Sequence, residues 1–256
     1  MQRREIIRLF AAGAAGLYAR RLISGGAWWA SAAGAAPNPS AGIPPPVQSA
    51  LSSNPLLPLF PLPLVLFPES DLVLHIFEER YKQMIRDCLL NRWEFGILLM
   101  RVDGFETVGC TAAITEILRS YRNGELDILV RGKRRFEISK LNREKPYLRG
   151  AAAFFEDDAS EPPSESLQQE ATEHYDRLSE LLRADDPSLK PPALSLHVGH
   201  LSFQIMTAIP ADYSSQQRLL TLRSERDRLV QVILHMQQLI EFLEKGPEGI
   251  APKSRA

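Results

Sequence analysis

The chain has 256 residues, and its 30 Lys and Arg against 31 Asp and Glu give a formal net charge of -1. That balance excludes a global electrostatic pull toward nucleic acid or an anionic membrane. Hydrophobic residues make up 45% and charged residues 24%, the composition of an ordinary globular protein with length for one large domain or two small ones.

Residues 1–55 differ from the rest and are rich in Ala, Gly, Ser and Pro. Arg3-Arg4-Glu5-Ile6-Ile7-Arg8 opens them in the manner of a twin-arginine export signal, Leu9 to Ala19 is mildly apolar, and Ala33-Gly34-Ala35 is a small-residue cleavage site. Arg20-Arg21 cut the apolar run. A start codon placed too far upstream yields similar sequence, so a cleaved signal (residues 1–36) and a non-functional extension both stay open. The run is too short to span a bilayer. Pro37 to Pro46 reads as an extended linker.

Residues 56–157 read as β-rich. Pro58 to Pro68 is an apolar run punctuated by prolines, which lack a backbone donor, so an edge or bulged strand is expected. Leu62, Leu64 and Leu66 would share a face. Phe77, Tyr81, Met84 and Cys88 are spaced as one helical stripe with Ile85 beside them. Phe95 to Met100 is a short buried strand. Ile114–Tyr121 and Leu126–Val130 flank Asn123-Gly124, a hairpin signal in which both turn residues would take positive φ. Phe136–Ile138 and Tyr147–Phe155 complete a small, partly closed barrel.

An acidic, Pro-rich linker follows at Asp157 to Glu165, and residues 164–245 read as a helical bundle. Leu167, Ala171, His174, Leu178 and Leu181 form one stripe. Leu194, Val198, Leu201, Ile205 and Ala208 form a second that Pro210 stops. A third helix, capped by Ser214 or Ser215, carries Leu222, Leu229, Ile233, Met236, Ile240 and Leu243 up to Gly246-Pro247. Residues 246–256 read as a disordered tail.

Several separated blocks resemble the Lon protease N-terminal domain. Leu57-Pro58-Leu59-Phe60-Pro61, Val65-Leu66-Phe67-Pro68 and Leu74-His75-Ile76-Phe77-Glu78-Glu79-Arg80-Tyr81 look like its opening. Val108-Gly109-Cys110, Ile114-Thr115-Glu116-Ile117, Asn123-Gly124-Glu125 and Ile128 to Phe136 follow in the family's order, as does the helix from Leu219 to Leu243. Glu79 stands where proline is common. The resemblance covers about residues 57 to 244. It implies an α+β fold, a PUA-like pseudo-β-barrel followed by a C-terminal helical bundle, and recognition of unfolded or tagged polypeptides.

A stand-alone, non-catalytic module is expected, an adaptor in proteolysis or quality control with a protease or chaperone as partner and no cofactor. The chain holds no GxxxxGK[ST], since Gly132-Lys133 runs into Arg134-Arg135, and no GxSxG elbow. Candidate polypeptide contacts are Phe60, Leu62, Phe67 and Tyr121, with strand addition along the Pro-punctuated edge. His75 with Glu78 and Glu79 reads as a helix-entry network, and His197 and His200 as ordinary helix residues, so no metal is expected. Cys88 and Cys110 form no CxxC and read as buried thiols. The alternative is RNA binding through Arg131, Lys133, Arg134 and Arg135. Kinship with Lon points to the cytoplasm, and the N-terminal segment points to export.

Overall fold

Alternating apolar positions build the first part of the chain into strands, and the change to helical spacing after Glu165 builds the second. The computed structural model describes residues 56–158, 162–195 and 200–245. The export-like segment, the linker before Pro55, His197 and the tail lie outside them. The chain divides into two units between Phe155 and Glu156.

The first unit runs β1 (Leu57–Leu62), β2 (Asp71–Ile76), α1 (Glu79–Asn91), β3 (Phe95–Arg101), β4 (Gly104–Ser120), β5 (Leu126–Asn142) and β6 (Arg149–Phe155). The six strands are ordered β2-β5-β4-β3-β1-β6, and β6 also pairs back to β5. The ring β5-β4-β3-β1-β6 therefore closes as a pseudo-barrel, with β2 attached outside it. β4 and β5 are 17 residues each and run beyond the ring. β3 pairs with β4 only up to Ala112, while β5 follows it to Ser120. The projecting half of β4, the first half of β5 and β2 make a three-stranded arm.

β1 is not the free edge that its prolines suggested. Its first residues pair antiparallel with β6 at Leu57 and Pro58, and Leu59–Leu62 pair parallel with β3. Leu59 N still donates to Leu148 O on the β6 side at 2.9 Å, and the β3 pairing begins at the same residue, so the missing donors fall on two short ladders rather than one long one. The strand ends at Leu62, and Leu64 and Leu66 are buried beyond it.

Phe136 fills the barrel, fully buried with Leu59, Leu98 and Ile138. Its ring lies where Gly96 of β3 and Gly109 of β4 have no side chain. A methyl on Gly109 would lie 2.9 Å from Phe136 Cζ and overlap the Ile97 carbonyl oxygen, and one on Gly96 would lie 2.9 Å from Phe136 Cε1.

α1 buries Tyr81, Met84, Ile85 and Cys88 as its spacing required. Phe77 departs from that stripe: it precedes the helix and is 47% exposed. Asp87 holds the β5–β6 connection, accepting from Lys145 Nζ and Tyr147 Oη at 2.6 Å each. These bonds, Lys145 first and Tyr147 second, hold the Asp87 carboxyl below its ordinary range. The β4–β5 turn also differs from expectation. Gly124 N donates to Tyr121 O at 3.0 Å and Tyr121 N to Glu125 O at 2.9 Å. Gly124 has φ 79, while Asn123 stays outside the left-handed region and its Oδ1 accepts from Glu125 N at 3.2 Å. A longer loop with one left-handed residue replaces the two-residue turn.

The second unit runs α2 (Glu165–Asp185), α3 (Leu201–Ala208), α4 (Tyr213–Thr221) and α5 (Glu225–Lys245), with α2 and α3 packed on α5. α2 buries Ala171, Tyr175, Leu178 and Leu182, so its core face is rotated from the expected stripe toward Tyr175. Leu194 precedes α3 without being helical. The expected single last helix is two. Asp212, rather than Ser214 or Ser215, caps α4, accepting from both their backbone N–H groups. Leu222 is extended, with φ -66 and ψ 134, and α5 restarts after Ser224, whose Oγ accepts from Asp227 N at 3.2 Å.

Arg228 stitches that break. Its side chain is 0% exposed. Nη1 and Nη2 each donate to Asp157 at 2.6 Å, Nη2 to Glu225 at 2.7 Å, Nη1 to Leu222 O at 2.8 Å and Nε to Ser202 Oγ at 3.1 Å. Its guanidinium also lies 4.4 Å from the Phe203 ring centroid. Asp157, expected in an acidic linker, is thus an anchor of the helical unit.

Three outcomes follow. Gly109→Ala should cost about 1–3 kcal/mol, read in urea unfolding, because relief requires moving the Ile97 backbone. Asp87→Asn should unfold at lower urea at neutral pH. A depressed folded pKa contributes stability above the ordinary carboxylate range and loses it as pH falls through the folded value, so the gap should close on acidification. Arg228→Met should cost about 3–5 kcal/mol, because Asp157 and Glu225 are left without their cation.

Candidate polypeptide-binding face

Of the four contacts expected from sequence, two are core. Phe60 is 5% exposed, with its ring centroid 4.0 Å from that of Tyr81, and Phe67 is 2% exposed. Leu62 is half-buried at the end of β1. Tyr121 lies on the arm, so the four do not form one surface.

The arm has two unlike faces. The rungs Leu72–Val130–Ile114 and Leu74–Ile128–Ile117 form the inner face, with Leu72, Leu74, Ile128 and Val130 buried. The alternate rungs Asp71–Arg131–Ala113, Val73–Leu129–Glu116 and His75–Asp127–Arg119 form the outer face. Val73 and Leu129 are half-buried there.

Aromatic rings gather at the end of the outer face. Phe77 stacks on His75 with centroids 5.9 Å apart, and Tyr121 meets His75 edge-on at 5.8 Å. Asp127 ties the group together: Oδ1 is 2.6 Å from His75 Nδ1, and Oδ2 accepts from Tyr121 Oη at 2.7 Å. Burial and then the Asp127 bond push the Tyr121 phenol up, so it remains a donor. Glu125 lies 3.5 Å from His75 Nε2, and Arg119 covers Tyr121 at 4.9 Å. Lys82 Nζ reaches Asn123 O at 3.1 Å and pins the turn to α1. The helix-entry network expected to tie His75 and Arg80 to carboxylates is present for Arg80, which pairs with Glu78, whereas His75 takes Asp127 and Glu125 and Glu79 takes Lys82. Phe77 was missed as a surface residue because its spacing matched the helix stripe. Its signal was the chain turning into α1 at Glu78.

The basic run has carboxylate or ring partners throughout. Arg131 forms a two-bond pair with Asp71 at 2.7 and 2.8 Å, Lys133 reaches Glu69 at 3.5 Å, and Arg134 reaches Glu94 at 3.1 Å. Arg135 is 4% exposed and lies 4.8 Å from the Phe155 ring.

In the helical unit, Asp157, His200 and Glu225 bring oxygen and nitrogen atoms within 4.8 Å of one another. The cation they hold is Arg228, which takes both oxygens of Asp157 and one of Glu225. An open cavity of about 400 Å³ between α2 and α5 is lined by charged groups that pair with each other, Arg177 with Glu244 and Lys245 with Glu241. Cys88 is buried and its thiol is pushed up to about 12 by that burial, and Cys110 is raised for the same reason. Neither is poised as a thiolate nucleophile. Among the described residues no helix is long and apolar enough to cross a membrane.

Comparison with known proteins agrees with this architecture. The model of the ATP-dependent protease La (LON) substrate-binding domain matches residues 56–238. A Lon protease of Parabacteroides distasonis is 23% identical over 204 residues, 73% of this chain and 24% of that protein. The chain thus spans about a quarter of the length of this curated relative. A Lon N-terminal domain protein from Xanthomonas campestris superposes with a TM-score of 0.55 at 24% identity, over 70% of this chain and 96% of that one. The N-terminal domain of Mycobacterium avium complex Lon protease gives 0.51 at 16% identity, over 71% and 97%. With the family model covering most of the chain and the α+β fold shared, this protein belongs to the LON substrate-binding domain family.

Proposed function

We propose that this chain is a non-catalytic module that binds unfolded or tagged polypeptide segments on the outer face of the arm. In this reading it acts as an adaptor that presents them to a protease or chaperone. Membership of a substrate-binding family supports binding of polypeptide. The observation that carries the location is Phe77, a large ring 47% exposed on a platform fixed by His75, Tyr121 and Asp127. A rigid exposed aromatic beside the half-buried Val73 and Leu129 suits apolar segments of an extended chain. β4 is less suited to strand addition. Its register shifts at Ile114/Glu116 and Ile117/Arg119 bend this margin of the arm. Side-chain contacts on the outer face are therefore the proposed mode. RNA binding has no comparable support, because the basic run is occupied by Asp71, Glu69, Glu94 and Phe155.

A fluorescence titration with a labelled, permanently unfolded protein tests the reading. The folded chain should bind saturably, and Phe77→Ala should weaken binding about tenfold with an unchanged circular dichroism spectrum. Failure of the folded chain to bind above background would sink the proposal. Undiminished binding by the Phe77 variant would remove this face as the site.

A further inference from the structure

The outer face of the arm also carries an uneven charge. Asp71 and Arg131 neutralise each other at one end. Along the rest, Glu116, Glu125 and Asp127 stand against Arg119. Glu116 is exposed, and no ion pair engages it among the described residues. It lies on β4, one rung (roughly 7 Å) along from His75 and two strands (roughly 10 Å) across from β2. The same face already holds one guanidinium against an aromatic ring, Arg119 at 4.9 Å from Tyr121. Phe77, beside it, has no cation over it among the described residues and is 47% exposed. The face of an aromatic ring is electron-rich and attracts a cation, and flanking carboxylates add to that attraction.

We propose that the outer face of the arm selects polypeptide segments in which Arg or Lys adjoins apolar residues, the cation resting on Phe77 beside Glu125, with Glu116 farther along the face adding to the negative field. The apolar neighbours then lie along Val73 and Leu129. Segments rich in Asp and Glu are disfavoured, because three carboxylates already line the face. This inference rests on the reading of the face as a polypeptide site and adds the chemical class that it prefers.

The test uses the full chain and three fluorescein-labelled unstructured peptides of equal length and equal aromatic content, carrying Arg, Gln or Glu at the same two positions. The Arg peptide should bind about tenfold tighter than the Gln peptide at low salt, and the Glu peptide should bind weakest. The preference should shrink as salt rises. Glu125→Gln should lower affinity for the Arg peptide more than for the Gln peptide, and Glu116→Gln should do so to a lesser degree. Phe77→Leu, which keeps apolar bulk, should lower affinity for the Arg peptide more than for the Gln peptide. Equal affinity for the Arg and Gln peptides would overturn the charge preference and leave polypeptide binding standing. Failure of all three to bind would overturn the binding reading itself, and with it the preference.

Discussion

The barrel closes because one aromatic ring occupies space that two neighbouring strands leave empty. Phe136 projects from β5 toward Gly109 on β4 and Gly96 on β3. At those positions a side chain would meet the ring, and at Gly109 also the Ile97 carbonyl. A fully buried phenyl ring against bare backbone lets three strands curve tightly while the interior stays filled. With the ring closed through β6, the excess length of β4 and β5 has no place inside it and projects as the arm. The proposed binding face is thus a consequence of closure elsewhere.

The helical unit is organised differently, around a charge. Arg228 is buried with its donors directed to Asp157, Glu225, Ser202 and the Leu222 carbonyl. A buried ion network of this kind gives little net stability over an apolar core, but it is costly to break, and it fixes which segments meet. Here it joins Asp157, the start of α3 and the interruption between α4 and α5. The same geometry accounts for the acidic cluster around His200 without a metal ion, since the carboxylates already share a guanidinium.

The proposed binding face rests on a division of labour between the two faces of the arm. Alternate residues of β2 and β5 go inward as Leu72, Leu74, Ile128 and Val130, and outward as Val73, His75, Asp127 and Leu129. The inward set fixes the arm. The outward set, stiffened by hydrogen bonds from His75 and Tyr121 to Asp127, presents Phe77 at low cost in side-chain entropy. Aromatic residues nearer the start of the chain, Phe60 and Phe67, serve packing instead.

Much of the fold was legible in the residues themselves. Alternation marked the strands, the spacing of Tyr81, Met84, Ile85 and Cys88 marked α1, and separated motifs in order identified the family. These are local properties, set by backbone periodicity and by which side chains avoid water. Apart from the helix break at Leu222, where Ser224 caps α5 locally, the misplaced features depend on partners distant in sequence. Phe60 and Phe67 became core, β1 gained neighbours on both sides, the last helix broke at Leu222, and Asp157 found Arg228 71 residues away. Exposure is decided by what packs against a side chain, and a buried cation is decided by which carboxylates the fold delivers. The sequence by itself determined the elements and their order. Only the tertiary structure decided that Phe77, rather than Phe60 or Phe67, faces solvent, because Phe60 packs beneath Tyr81 of α1 and Phe67 is enclosed, while Phe77 beyond the end of β2 stays 47% exposed.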